Sequence, residues 1–341
     1  MDLNLYEYFN RGYVLGPRTI STPQKFNRIP HLDDMVDLFD CAVIKCITDD
    51  FGVMFSGGMD SSMIVASLMK QGISPTCFIG ADFDGPLAVE FCLERNLDFC
   101  VIQPTPLEET GRLTKGGLPM QFISALSVDS VCKTASKIGI KTLISGEGGD
   151  EIFWGYPRYA NIIKASGSKP EHIYYGSGIN NREIVEELTA SHKKGQCFDW
   201  ILDNLNLPEY ALISMFDQVW RSPQLQYRNS RFGHGIDFKY PFMDLDFAQY
   251  VNETDPVFKC DVRETKRPLQ RELYAKYLYG EPKKKQPWSN KYESWFSSKT
   301  CRAEINNMKF EGLDKTTIEH ITKTSMYPVL CQKLWMLWKS L

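Results

Sequence analysis

Seven residues near the start of the chain, with the sequence S-G-G-M-D-S-S, are of the types that bind a phosphate group. Glycines let backbone N–H groups close around an anion, and hydroxyls add further donors. The carboxylate of Asp60 fits beside a phosphate mainly when a divalent cation lies between them. The alternative is an ordinary turn, but the full pattern favours a phosphate loop. Its members are Ser56, Gly57, Gly58, Met59, Asp60, Ser61 and Ser62.

A second loop, S-G-E-G-G-D-E at residues 145–151, places three carboxylates around three glycines. Carboxylates in such a tight loop are costly unless a cation or a basic group lies nearby. Taken alone, the loop could be a solvated acidic turn. If the fold brings it close to Asp60, however, then Asp60 and Asp150 would form a Mg²⁺ site that bridges the oxygens of a triphosphate.

The elements that must position these loops alternate along the chain. Short apolar runs predict strands over residues 51–55, 76–79, 99–102 and 142–144. Helical patterns lie between them, over residues 63–69, 87–95 and 128–138, and another precedes them over residues 35–46. Such alternation predicts an α/β fold with a parallel twisted sheet flanked by helices. Ligands bind such sheets beyond the carboxyl ends of the strands, where the loops after Phe55, Ile79 and Ile144 would meet.

Beyond about residue 160 the strand signals fade. Helical patterns continue over residues 184–188, 200–205 and 269–279. The sequence therefore predicts an α/β nucleotide-binding part over residues 31–160 and a mainly helical part over residues 161–341.

The amino-acid composition gives no reason to expect nucleic acid or a membrane as a partner. Among 341 residues, 39 Lys and Arg face 42 Asp and Glu, so the net charge of −3 gives no reason to expect nucleic acid as a partner. The ten cysteines are scattered without a C-x-x-C pair, which favours reduced thiols and a cytoplasmic location. Neither a signal peptide nor an apolar run of membrane-spanning length is present, so no membrane association is expected.

Two motifs resemble known families. The chain has no G-x-x-x-x-G-K-[ST] string, and residues 56–62 resemble the pyrophosphate loop of the PP-loop ATP pyrophosphatases, which cleave ATP between its α- and β-phosphates. The string S-G-E-G-G-D-E-I-F-W-G-Y-P-R-Y at residues 145–159 resembles the second signature of class B asparagine synthetases, in their C-terminal synthetase domain. Trp154 stands where that family usually has a glycine.

The resemblance implies a set of site residues, with ATP and Mg²⁺ as cofactors. Asp60 and Asp150 would be metal ligands. The phosphate loop, through Ser56, Gly58 and Ser61, would hold pyrophosphate, and Ile79 would meet adenine through its backbone. Ser145 and Gly146 would face the α-phosphate and the acyl group, with Glu147 at the reacting centre.

Two later stretches extend the resemblance. Residues 232–244 are similar to the family's H-G-x-E-x-R-x-P-F-L-D, with Asp237 in place of Glu and Lys239 in place of Arg. Residues 265–270 resemble the family's lysine motif K-x-x-L-R, with Gln270 in place of its arginine. Lys266 would then stabilise the charge on departing pyrophosphate, although most lysines are merely exposed. The run K-K-K-Q-P-W at 283–288 resembles a basic stretch of the family and is interpreted as a solvated turn near the phosphates.

The N-terminal stretch bears on the nitrogen donor. Residues 12–20 resemble the segment that closes the glutaminase domain of the two-domain enzymes, so residues 1–30 are interpreted as a remnant or linker. The nucleophilic N-terminal cysteine of that domain has no counterpart, because residue 2 is Asp2 and the first cysteine is Cys41. The expected donor is therefore ammonia or another amine, or a separate glutaminase subunit.

Three functions remain in competition. The first is an AMP-forming amidoligase that adenylates an aspartate-like carboxylic acid and transfers an amine to it. The second is the same chemistry on another acid, such as a sugar acid, a peptide or a specialised metabolite; related β-lactam-forming cyclases usually carry Tyr where this chain has Glu147. The third is a partner-dependent nucleotide-binding subunit, against which Asp60, Glu147, Asp150 and Lys266 argue because only catalysis requires all four.

Overall fold

The structure is a computed structural model that describes residues 27–81, 85–103, 124–156, 159, 234–259, 267–279, 282 and 299–307. Its centre is a sheet of five parallel strands in the order β3-β2-β1-β4-β5. The strands are β1 (Phe51–Met54), β2 (Cys77–Gly80), β3 (Phe99–Ile102), β4 (Thr142–Ser145) and β5 (Asp237–Lys239). The chain therefore has the predicted α/β fold with a parallel sheet.

Helices flank the sheet and follow most of the predicted patterns. They are α1 (Leu32–Ile44), α2 (Met59–Lys70), α3 (Gly85–Glu94), α4 (Ser124–Lys137), α5 (Gly149–Ile152), α6 (Leu245–Glu253), α7 (Pro256–Lys259), α8 (Pro268–Tyr277) and α9 (Lys299–Asn307), with a 3₁₀ turn over Pro241–Met243. The helices predicted over residues 184–188 and 200–205 lie outside the described residues. In the part of the chain that the structure describes, no helix is long and apolar enough to cross a membrane.

The fifth strand was not predicted by the sequence analysis, and it lies in the part of the chain that was expected to be mainly helical. β5 pairs with β4 in parallel, with Phe238 opposite Leu143. It has only three residues, D-F-K, and only the middle one is buried. A run this short gives no period-two signal, so its strand conformation depends on pairing with β4 rather than on local sequence.

Both faces of the sheet are covered, as a parallel sheet requires. On one face, Cys77 and Ile79 of β2 pack in a cluster with residues of α1, α2 and α8. On the other face, Phe78 packs with Val128 and Val131 of α4. Because successive strand residues point to opposite faces, one short apolar strand contributes to both cores.

A partly buried group of polar side chains connects three helices. In α1, the Oδ1 atom of Asp40 accepts hydrogen bonds from the hydroxyls of Ser67 at 2.5 Å and Tyr277 at 2.8 Å. Its Oδ2 atom accepts from the ammonium of Lys70 at 2.7 Å. Burial beside the Asp40 carboxylate raises the pKa of the Tyr277 hydroxyl, which stays a donor at neutral pH. Asp40 thereby ties α2, which carries Asp60, to α8, which carries Gln270.

Candidate active site

The phosphate loop connects β1 to α2 in a conformation that requires glycine. Gly57 has a φ of +70°, and a Cβ atom built on it would lie 2.9 Å from the backbone nitrogen of Ala88 in α3. Any side chain there would be strained and would also displace α3. Gly58 is the N-cap of α2 and makes no side-chain cap hydrogen bond. The first turn of α2 therefore lacks a side-chain cap at Gly58, and a helix N-terminus of this kind can bind an anion through its backbone N–H groups.

Serine hydroxyls hold this loop in shape. The Oγ atoms of Ser56 and Ser61 lie 3.2 Å apart. The N–H group of Gly58 donates to Ser56 Oγ at 3.3 Å, and Ser61 Oγ donates to the Gly58 carbonyl at 3.2 Å. Ser62 is buried, with 1% of its surface exposed, and does not line the cavity described next. Two of the three serines of the phosphate loop, Ser56 and Ser61, thus line the cavity.

A cavity lies at the carboxyl ends of β1, β2 and β4. The two predicted loops form most of its wall, and Gly80 at the end of β2 completes it. The sequence-predicted residues that line it are Ser56, Asp60, Ser61, Ser145, Gly146, Glu147 and Asp150. Ile79 is fully buried in β2, one residue before Gly80. Lys266 lies outside the described residues.

Glycines of the second loop allow it to pack directly on the N-terminus of α2. A Cβ atom on Gly146 would lie 2.9 Å from the backbone nitrogen of Ser61. A Cβ atom on Gly149 would overlap the carboxylate of Asp60. Gly146 and Gly149 are thus explained by the close approach of the acidic loop to α2, which brings the carboxylate of Asp150 next to that of Asp60.

A guanidinium group bridges those two carboxylates. Nη1 of Arg267 lies 2.8 Å from Oδ1 of Asp60 and 3.1 Å from Oδ1 of Asp150. Gln270, one turn further along α8, donates from Nε2 to Asp60 Oδ1 at 2.6 Å. Sequence reasoning missed both contacts, although it identified residues 265–270 as a motif and expected a cation near the acidic loop.

Among the described residues that line the cavity, all of the charged side chains are carboxylates. Its lining includes four carboxylates, from Asp60, Glu147, Asp150 and Glu151. Burial opposes the charge on Arg267, but the facing Asp60 and Asp150 outweigh it and raise the pKa of the guanidinium above its ordinary value. Glu151 is 3% exposed and accepts a 2.6 Å hydrogen bond from the hydroxyl of Tyr156.

This surplus of carboxylates is compatible with a divalent cation. Carboxylate oxygens are ligands that Mg²⁺ prefers, and those of Asp60 and Asp150 come from the two loops that line the cavity. Within the described ranges, no three His, Cys, Asp or Glu residues are grouped to bind a metal by themselves. The residues present therefore fit an ion that takes only one or two protein carboxylates and completes its ligands with phosphate oxygens and water.

Comparisons with known proteins decide the family. The sequence model of the family described as asparagine synthase matches residues 119–320, more than half of the chain. This chain belongs to the asparagine synthase family. The match includes the acidic loop, β5 and the stretch that contains Lys266 and Arg267, whereas the phosphate loop lies before it.

Curated members of the asparagine synthase family are distant in sequence. The chain is 22% identical over 320 residues to a nodule asparagine synthetase (glutamine-hydrolyzing) of Pisum sativum, which covers 85% of this chain and 45% of that protein. It is 23% identical to asparagine synthetase (glutamine-hydrolyzing) 1 of Lotus japonicus, covering 83% of this chain and 44% of the relative. A homologue from Oryza sativa subsp. japonica, also 23% identical, covers 84% and 45%. The chain thus spans less than half the length of these relatives.

The stretch over residues 232–244, which resembles the family's H-G-x-E-x-R-x-P-F-L-D motif, contains two substituted residues. Asp237 and Lys239, which replace the family's Glu and Arg, are both on β5 and form an ion pair with each other at 2.9 Å. His234 lies before β5, with Nε2 2.9 Å from the Asp129 carboxylate of α4. None of these side chains is among the residues that line the cavity.

A buried lysine lies behind the acidic loop. Lys259, at the end of α7, is 1% exposed. Its Nζ atom is 4.4 Å from the centre of the Trp154 ring and 3.4 Å from the Asn252 carbonyl. Trp154, where the family usually has glycine, has a positive φ of 59°. Burial lowers the pKa of Lys259 to about 7.

Replacing this lysine should change how stability depends on pH. The lowered pKa means that the unfolded chain binds more protons than the folded chain between about pH 7 and 10.5, so stability rises with pH over that range. Lys259→Met should remove that slope and raise the free energy of unfolding at pH 7 by a few kcal/mol, on the order of the charge-burial penalty. Urea denaturation at pH 7, 8 and 9 measures this, with Lys276→Met as a control at an exposed position; a wild-type slope in Lys259→Met would contradict it.

Proposed function

We propose that this chain is an ATP-dependent, AMP- and pyrophosphate-forming amidoligase. The observation that supports the proposal most strongly is the joint cavity in which the phosphate loop meets the acidic loop around Asp60 and Asp150. A phosphate loop alone would suit many nucleotide-binding proteins, and an acidic loop alone would suit many cation sites. Their combination suits a triphosphate that is neutralised by a divalent cation and split beside carboxylates.

In the proposed arrangement, ATP is a substrate whose triphosphate lies over the first turn of α2. Ser56, Gly58 and Ser61 would bind the pyrophosphate part, and the end of β2 at Ile79 would approach adenine through its backbone. Asp60 and Asp150 would hold Mg²⁺, which when bound supplies charge neutralisation for the phosphate oxygens. Ser145 and Gly146 would face the α-phosphate.

Two displacements would follow on the substrates. An oxygen of the substrate carboxylate bonds to the α-phosphorus, and the bond from that phosphorus to the bridging oxygen of pyrophosphate breaks. An amine nitrogen then bonds to the activated carbonyl carbon, and the carbon–oxygen bond to AMP breaks. Glu147 lines the cavity and is proposed to accept the proton that the attacking nitrogen releases. Lys266 is proposed to stabilise the charge that develops on pyrophosphate.

The acid and the nitrogen donor are separate parts of the proposal. An aspartate-like acid is proposed first, because the curated relatives are asparagine synthetases. Asp237 and Lys239 pair with each other in place of the family's Glu and Arg, so sugar acids, peptides and specialised metabolites belong in the same test. For this chain by itself, ammonia or another amine is the proposed donor, with a separate glutaminase subunit as the alternative source.

Isotope transfer tests the proposed chemistry directly. The purified chain is incubated with ATP, Mg²⁺, ammonium chloride and a panel of acids that carry ¹⁸O in their carboxylates. The expected result with the correct acid is AMP and pyrophosphate in equal amounts, with one ¹⁸O atom from the acid in the AMP. ADP and orthophosphate as the primary products would contradict the assignment.

A second set of reactions identifies the nitrogen source. Glutamine replaces ammonium chloride, and release of glutamate by the chain alone is measured. We expect none, together with an amidation rate in ammonium chloride that rises with pH as NH₄⁺ gives way to NH₃. Efficient use of glutamine by the chain alone would contradict the proposed donor, whereas its use only after a second protein is added would identify that partner as the glutaminase.

A further inference from the structure

Arg267 occupies the space between the two carboxylates proposed to bind the metal. Its Nη1 atom is 2.8 Å and 3.1 Å from the two oxygens of Asp60 and 3.1 Å from Oδ1 of Asp150. The arginine side chain is only 16% exposed. One largely buried guanidinium thus reduces the repulsion between two carboxylates that come from different loops, and leaves a net charge of −1 for the three groups.

The backbone at Arg267 shows that this contact has an energetic cost. Arg267 has a φ of +58° and a ψ of +54°, the left-handed region that non-glycine residues rarely adopt. It also precedes Pro268, which further restricts its backbone. Such outliers persist where the surrounding structure imposes them, and they cluster at functional sites. Here the strained turn directs the guanidinium toward Asp60 and Asp150 rather than toward solvent.

Two neighbouring residues, Gly155 and Gln270, are suited to the contact between Arg267 and the two carboxylates. A Cβ atom on Gly155 would overlap the Asp150 carboxylate and lie 2.9 Å from Cδ of Arg267, so only glycine leaves room for the pair. Gln270 is fully buried and donates to the same Asp60 oxygen that Arg267 contacts. The carboxylate of Asp60 thus accepts hydrogen bonds from two side chains at the start of α8.

We propose that Arg267 is a positioning residue that acts as the resident counter-cation of the nucleotide-free site. It fixes Asp60 and Asp150, prevents a divalent cation from binding without nucleotide, and leaves at least one of the two carboxylates when ATP and its cation enter together. The reason is competition, because the oxygens that the guanidinium contacts are those that a metal would need. The inference rests on the proposed function for the identity of that ligand, a metal-bound nucleotide.

Binding of Mn²⁺ in the absence of nucleotide tests the proposal. Wild-type protein should bind Mn²⁺ weakly, as measured by calorimetry or by the loss of the free-ion signal in electron paramagnetic resonance. Arg267→Gln should bind it at least about tenfold more tightly, because a unit positive charge within a few ångströms of the ion is removed. Arg267→Lys keeps the charge but replaces the planar guanidinium, whose Nη1 atom contacts both carboxylates, with a shorter side chain that ends in a more strongly hydrated ammonium, so its affinity should be intermediate.

Lys276→Gln is the matched control, since it removes one positive charge from the exposed face of the same helix. Its Mn²⁺ affinity should equal that of the wild type. If Arg267→Gln is unstable because the carboxylates repel, added Mn²⁺ should raise its melting temperature more than that of the wild type. Should it not fold at all, comparison of Arg267→Lys with the wild type decides alone.

Equal or weaker Mn²⁺ binding in the folded Arg267 variants would overturn the inference. The readout is separate from turnover. A protein that shows the expected Mn²⁺ series but forms no AMP with any acid would refute the proposed function and leave the counter-cation role of Arg267 intact. A protein that forms AMP but shows no difference in Mn²⁺ binding among the Arg267 variants would support the proposed function and refute the counter-cation role of Arg267.

Discussion

Asp60→Asn should lower the rate of ATP–pyrophosphate exchange by about 1,000-fold or more, the upper range for loss of one preorganised electrostatic contact. Asparagine keeps the shape of the side chain and removes its charge. The Asp60 carboxylate is contacted by Arg267 and Gln270 and lines the cavity beside Asp150. A neutral amide would leave Asp150 as the one remaining carboxylate of the pair and would weaken any bound cation.

The measurement is exchange of labelled pyrophosphate into ATP at several Mg²⁺ concentrations. Asp246→Asn is the matched control, because it makes the same substitution at an exposed carboxylate that pairs with Lys45. It should leave the exchange rate unchanged, since exposed ion pairs contribute little. Exchange by Asp60→Asn within a few fold of the wild type, in protein with an unchanged circular dichroism spectrum, would show that Asp60 does not act on a bound cation.

Local pattern was sufficient to locate both loops and four of the five strands. β3 has the predicted bounds, and the ends of β1, β2 and β4 differ by one residue from the predicted ones. Each of these strands is a short apolar run followed by glycine or polar residues, a signal that lies within a few consecutive residues. Because parallel strands end at the same edge, their order along the chain was also enough to expect that Asp60 and Asp150 would meet.

Contacts between distant residues could not be predicted in the same way. Arg267 and Asp60 are 207 residues apart in sequence, and nothing near either residue indicates the other. The left-handed backbone conformation of Arg267 could not be predicted from the sequence either, because residues before a proline prefer an extended conformation. The sequence predicted that a cation lies beside the carboxylates. Only the packing of α8 on α2 shows that the side chain of Arg267 provides a positive charge there.

The burial of the charged side chain of Lys259 could not be predicted from the sequence for a related reason. Lysines are usually exposed, so nothing in the sequence V-F-K at residues 257–259 distinguishes Lys259 from a surface lysine. Its burial follows from the position of Trp154, which comes from a loop more than a hundred residues earlier along the chain. The departure from the family glycine at residue 154 was visible in the sequence, but the lysine that packs against the new side chain was not.

Lys266→Ala should reduce ATP–pyrophosphate exchange by about 100-fold, the cost of losing one preorganised contact to a developing charge. Lys266 lies outside the described residues, but its neighbour Arg267 contacts the cavity carboxylates, so the chain passes within one residue of the site. If Lys266 acts on the departing pyrophosphate, kcat should fall while the KM for ATP changes much less. Lys266→Arg should recover little activity, because a planar guanidinium cannot replace a compact ammonium.

The controls for Lys266→Ala must distinguish the loss of a contact to pyrophosphate from a change in the position of Arg267. Lys276→Ala removes an exposed lysine from α8 and should retain wild-type exchange. Nucleotide-free Mn²⁺ binding by Lys266→Ala should tighten much less than that of Arg267→Gln, because Arg267 directly contacts the carboxylates of Asp60 and Asp150. A loss of exchange with at most a small change in Mn²⁺ affinity therefore assigns Lys266 to the pyrophosphate. Near wild-type exchange would return it to the class of exposed surface lysines, and Mn²⁺ binding as tight as that of Arg267→Gln would show that the substitution acts through Arg267 instead.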